Sequence, residues 1–93
     1  MMDIEQRIRA CLAPLDPVAL ELQDESGLHV GHPGAMGGGH YRLTLVSALF
    51  SGKDRVTRHR MVYAALDRLM RSEIHALALT TLAPAELAAA PPD

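Results

Sequence analysis

The sequence predicts an α+β domain in which helices pack on a three-stranded mixed sheet, in the order α-β-β-α-β-α. Three observations carry that expectation. Apolar residues recur at helical spacing near the start and again past the middle of the chain; two runs alternate apolar and polar residues; and a third β-rich run follows the central helix. Helices laid on one sheet let each amphipathic element bury its apolar side.

The elements follow in order. Ile4, Ile8, Cys11, Leu12 and Leu15 keep the i, i+4, i+7, i+8 spacing of an amphipathic helix that Pro14 closes. Cys11 falls on the apolar stripe and reads as a small buried hydrophobe. "PVALELQD", residues 17–24, sets Val18, Leu20 and Leu22 against Ala19, Glu21 and Gln23, a half-buried strand. About 15 residues from Glu25 to Gly39 show no apolar period, a length that is usually functional or disordered. "HYRLTLVSALF", residues 40–50, is a second strand with Tyr41, Leu43 and Leu45 on one face, paired antiparallel with the first. After the turn "SGKD", the spacing of His59, Val62, Tyr63, Leu66, Leu69 and Met70 predicts a helix from Val56 to Arg71, capped by Asp54 or Thr57. "IHALALTTL", residues 74–82, is a third strand, parallel to the second through a right-handed crossover. Pro84 opens a last short helix, and "AAAPPD" reads as a frayed tail, so the domain is 1–88 with 89–93 disordered.

Bulk properties narrow the class. Ninety-three residues make one domain, near the size at which a single core just holds itself together. No run of about 18 apolar residues predicts a membrane span. The charged start "MMDIEQRIRACL" is unlike a signal peptide, and one cysteine forms no internal disulfide, which together point to the reducing cytoplasm. The net charge of −2 hides an asymmetry, since residues 42–71 hold seven of the nine Lys and Arg. Such a patch attracts nucleic acid or an acidic protein, or is simply a solvated helix face.

"LELQDES", "VSALFSGK", "RHRMVY" and "IHALALTTLAPAEL" resemble, in order and spacing, the BolA family, across residues 4–88. The resemblance implies a type II KH-like fold. It also implies a monothiol glutaredoxin partner with which a [2Fe–2S] cluster is shared, and DNA-binding regulators among the members. The sequence departs from the family in three places. The connection "GHPGAMGGGH" is unusually glycine-rich. The last helix lacks the usual Thr before Pro84, which removes an N-cap side chain, and has Leu87 where the family has Trp. No G-x-x-G clamp of the KH type lies between residues 51 and 71.

The histidines are the candidate ligands. From the residues alone, His75 at the start of the third strand is a half-buried histidine satisfied by a carbonyl; the resemblance makes it a cluster ligand. His29, three positions after "DES", stands where the family carries its loop ligand, with His32 as the alternative. His40 and His59 read as structural, or as side chains supporting the site. Two imidazoles make a poor protein-only metal site. A site shared with a partner that brings thiolates and its glutathione removes the shortage, and the glycine-rich segment becomes a mobile arm that delivers nitrogen. No metal is expected on the free chain, which is expected to be a monomer. Arg58 and Arg60 are expected to face outward and, with Lys53 and Arg55, to bind a protein partner or DNA. No activated nucleophile, H-E-x-x-H motif or paired carboxylate beside the histidines suggests an enzyme. The leading expectation is a non-enzymatic adaptor in iron–sulfur or iron homeostasis; the alternative is a DNA-binding transcriptional regulator acting through residues 56–71.

Overall fold

The computed structural model describes residues 2–26 and 39–89. Helix α1 (Ile4–Leu12) begins at a capping box: Gln6 N donates to the Asp3 carboxylate at 2.9 Å, and Asp3 N donates to Gln6 Oε1 at 3.0 Å. Pro14 ends it in a 3-10 turn, Ala13–Leu15, and Asp16 follows in the left-handed region at φ 52°. Strand β1 (Pro17–Asp24) pairs antiparallel with β2 (Gly39–Ser47), which pairs parallel with β3 (Ile74–Leu82). The sheet order is β1-β2-β3. Between β2 and β3 lie a 3-10 turn (Ala48–Phe50), α2 (Arg55–Ala65) and α3 (Asp67–Met70); α4 (Pro84–Ala89) ends the described chain.

The predicted α+β architecture with a three-stranded mixed sheet is the observed one. Its core joins Ile8 and Leu12 of α1, Tyr41, Leu43 and Leu45 of β2, Phe50, Val62 of α2, Leu66, Leu69 and Ile74. Asp54 caps α2 by accepting from Thr57 N at 2.8 Å.

Several local expectations are corrected. Val18 is 65% exposed, because a bulge between Pro17 and Ala19 inserts it into the pairing and takes it off the inner face. The second strand stops at Ser47, whose hydroxyl accepts from Leu49 N and donates to the Leu15 carbonyl, turning the chain. The central helix is interrupted at Leu66 (φ −95°, ψ 8°), so that Leu66 and Leu69 both remain in the core. Tyr63 is exposed: the inner face of α2 runs through Arg58 and Val62, and Tyr63 stands one residue, about 100°, around the helix from it. Cys11 is half-buried and packs against the core.

Candidate functional site

The first site lies where β3 begins. The register runs from the pair Gly39–Ile74 directly to the pair His40–Ala76, so His75 is an extra residue on β3. A bulge of this kind re-aims a side chain. Ile74 stays buried at 2% exposure while His75, next to it, is exposed. The His75 ring lies beside that of His40, with centroids 5.2 Å apart and planes inclined by 40°.

The backbone around this pair is tied down. Gly39 N donates to the Glu73 carbonyl at 2.9 Å, His40 N to Ser26 Oγ at 3.0 Å, and Glu25 N to the His40 carbonyl at 2.7 Å. Asp24 accepts from Ser26 N at 2.9 Å, and hydrogen bonding by Ser26 holds its carboxyl below the usual range. Residue 39 has to be glycine for a local reason. The Tyr41 ring lies across it, and a Cβ there would stand 2.6 Å from the ring. Tyr41 is buried in the core, and burial, aided by the negative Asp24, raises its phenol pKa. Ser26 and Gly39 are the two residues between which segment 27–38 leaves and re-enters this corner. His29 and His32 lie outside the described residues.

Around the pair, the carboxylates are engaged elsewhere. Glu25 bonds Arg42 at 3.1 Å, and Glu73 bonds Arg7 at 2.8 Å. Among the described residues, no group of three or more His, Cys, Asp or Glu is placed to hold a metal ion. What this corner offers is two imidazoles on a fixed backbone.

The second site lies at the other end of β3. A cavity of about 440 Å³ is lined by Lys53, Arg55, Arg58 and His59 from the start of α2 and by Leu79–Leu82 of β3. Here the expectation that Arg58 faces outward is corrected: it is 8% exposed. Its guanidinium donates to Glu86 Oε1 at 2.6 Å and to Oε2 at 3.2 Å, and reaches the Thr81 carbonyl at 3.4 Å. Arg58 begins the inner stripe of α2, four residues before Val62, so the helix turns it inward. Glu86 also accepts from Ala83 N at 2.7 Å. The helix that lacks a capping Thr is therefore anchored by its own Glu86, whose carboxyl Arg58 holds below the usual range. Arg60, Arg55 and Lys53 are exposed as expected. His59 is half-buried and lines this cavity together with Leu79–Leu82 of β3. Sequence reasoning missed Glu86; the available signal was its position as the third residue of a helix that begins at Pro84.

A family model described as BolA-like protein matches residues 12–86. The chain belongs to the BolA family. Among its relatives, SufE-like protein 1 of Arabidopsis thaliana is 40% identical over 79 residues, which span 78% of this chain and 21% of that protein. BolA-like protein 1 of Bos taurus is 40% identical over 84 residues, 89% of this chain and 61% of that protein. The DNA-binding transcriptional regulator BolA of Escherichia coli K12 is 40% identical over 78 residues, 84% and 70% of the two chains. The chain thus spans about a fifth to three fifths of the first two of these relatives. Among solved structures, the BolA domain of SufE1 from Arabidopsis thaliana superposes with a TM-score of 0.76 at 40% identity, covering 92% of this chain and 99% of that one. Among the described residues of this BolA-family chain, no helix is long and apolar enough to cross a membrane.

Proposed function

We propose that the chain is a non-enzymatic adaptor that binds a monothiol glutaredoxin and co-ligates a [2Fe–2S] cluster with it, in cytoplasmic iron–sulfur or iron homeostasis. The observation supporting this reading is the His40–His75 pair on the bulged start of β3, at the corner where segment 27–38 leaves and rejoins the sheet. The donor chemistry fits the group: imidazole nitrogens suit iron, and two of them leave the other positions to thiolates of the partner and its glutathione. When bound, the cluster would supply one-electron redox chemistry. His75, fixed by the sheet, provides one nitrogen; a second imidazole, with His29 and His32 as the candidates on segment 27–38, provides the other. Both must be neutral to ligate, so cluster affinity falls on acidification. Docking of the protein partner uses the exposed cations Lys53, Arg55 and Arg60.

The test is to mix the purified chain with a cluster-loaded monothiol glutaredoxin and record visible absorbance and circular dichroism. A changed cluster spectrum that depends on His75 is expected. An unchanged spectrum at saturating chain overturns the reading.

A second reading, a DNA-binding regulator, is favoured by the basic cavity at the start of α2 and by the name of the Escherichia coli relative. Against it stand the net charge of −2 and the engagement of Arg58 by Glu86. A mobility-shift titration at rising salt decides, because binding through phosphate contacts weakens steeply with salt.

A further inference from the structure

The cavity at the start of α2 already holds one oxyanion, and it belongs to the chain itself. Glu86 presents both carboxylate oxygens to the Arg58 guanidinium, at 2.6 and 3.2 Å. A planar guanidinium takes two oxygens of a phosphate in the same way as two of a carboxylate. Glu86 therefore marks where an incoming phosphate would sit.

The hold of the chain on that position is incomplete. Arg58 is 8% exposed, yet its buried Nε has no hydrogen-bond partner among the described residues. A buried donor without a partner is costly, so a phosphate oxygen that engages it adds stabilisation. Glu86 is itself exposed and sits on α4, a six-residue helix whose one large apolar side chain, Leu87, is 54% exposed. With so little apolar burial, α4 can move away without disturbing the core.

Charge and shape set the ligand class. With His59 neutral, Lys53, Arg55 and Arg58 face Asp54 and Glu86, an excess of one positive charge; with Glu86 withdrawn the excess is two. Among the described residues Lys53 and Arg55 form no ion pair, while Asp54 is committed to capping α2. Two positive charges match a phosphate monoester, which is close to dianionic at neutral pH, better than a singly charged diester. The volume of about 440 Å³ is that of a small-molecule cleft, and the half-buried Leu79 and Leu82 give it an apolar wall for an organic body.

We propose that this cavity binds a small organic phosphate monoester through Lys53, Arg55 and Arg58, and that Glu86 is a built-in competing anion that gives up Arg58 when the ligand arrives. Release of α4 then accompanies binding. The proposal needs neither the glutaredoxin nor DNA.

The probe is phenyl phosphate, titrated into the isolated chain at constant ionic strength and about pH 7.5, where it is dianionic. Saturable shifts are expected at the Arg58 side-chain Nε–H and at the amides of Lys53 and Arg55, with loss of hydrogen-exchange protection in α4. Glu86→Gln should tighten binding about fivefold or more, because the open state no longer has to be populated against a competing anion. Lys53→Gln with Arg55→Gln should weaken it about tenfold or more, since it removes two charge-assisted contacts and leaves Arg58 and Glu86 in place. The amide spectrum of each variant establishes that the fold is kept, and the double variant carries the test by itself if Glu86→Gln unfolds. Dimethyl phosphate, a singly charged diester like the links of a nucleic-acid backbone, should bind about tenfold more weakly or less. If no saturable shift occurs, if Lys53→Gln with Arg55→Gln binds as well as the parent, if a folded Glu86→Gln binds no tighter, or if the diester matches the monoester, the proposal is wrong. Failure of the glutaredoxin spectrum with phosphate binding intact would instead overturn the adaptor reading alone.

Discussion

At the start of β3, His75 is pushed into solvent by a bulge and meets His40; at its end, the Thr81 carbonyl and Glu86 take up the guanidinium of Arg58. The strand thus carries an exposed histidine beside a half-buried one of β2 at one end, and meets a buried charge paired within the fold at the other. The contrast teaches that residue type does not reveal availability. Arginine in "RHRMVY" looks like a surface cation and is 8% exposed; histidine in "IHAL" looks like a half-buried side chain and is exposed. What decides is whether the fold supplies a partner within reach. Glu86 lies 28 residues beyond Arg58 and closes the second end, while the carboxylates near the first are already paired.

The largest effect that sharpens the contrast is expected at the histidine end. His75→Ala should change the spectrum of the heterocomplex cluster and weaken its retention by about tenfold or more, because a ligand fixed in advance costs little entropy to use. His29→Ala should do less. Apo association with the glutaredoxin, measured by calorimetry, should survive both. An unchanged spectrum in His75→Ala would return that histidine to a merely structural role.

At the other end the readout is stability. Glu86→Gln should lower Tm by several degrees and release α4, since it leaves the buried guanidinium without its anion. Arg60→Ala, two residues from Arg58 but exposed, should stay within about 0.5 kcal/mol of the parent. Thermal melts of the two variants separate the readings. Equal losses would mean that Arg58 and Arg60 are alike, as their sequence context suggests.

Between these ends, the Gly39 hinge of the first site can be broken without touching a histidine. Gly39→Ala drives a Cβ into the Tyr41 ring, and crowding of this kind costs about 1–3 kcal/mol. Denaturant melts should show that loss. The cluster spectrum of the heterocomplex should change as well, because the displaced strand moves His40 relative to His75.

The fold was legible because periodicity is local. The stripe Ile4–Ile8–Leu12, the alternation Tyr41–Leu43–Leu45 and the run 74–82 each carry their own evidence, and each is where the structure has it. What was not legible depends on residues distant in the chain. The bulges at Val18 and His75 come from mismatch between two strands, and no single strand records them. The inward turn of Arg58 depends on α2 facing β3 and on a carboxylate in α4. His40 was readable as a strand residue, but its approach to His75 is a matter of sheet register. The placement of His29 and His32 falls outside the described residues, so the sequence remains the guide there.

The smallest effect is the response to mild acid, and its sign follows from the carboxylates. Arg58 holds Glu86 below the ordinary glutamate value, and Arg7 does the same for Glu73. Each binds its proton less readily in the folded chain than in the unfolded one. Unfolding therefore takes up protons once the pH drops below the ordinary glutamate value, and stability falls with it. The contribution is complete above that value and drains away as pH falls through the lowered folded-state value. Both carboxylates are open to solvent, so the loss is gradual and salt weakens it. Melts between neutral pH and the acid limb should show a plateau followed by a decline. In Glu86→Gln the decline should be shallower, because one of the carboxylates whose protonation drives it has been removed. If the decline is as steep in Glu86→Gln as in the parent, the Arg58–Glu86 contact adds nothing to folding at neutral pH, and the end of β3 that meets Arg58 is no better anchored than its start.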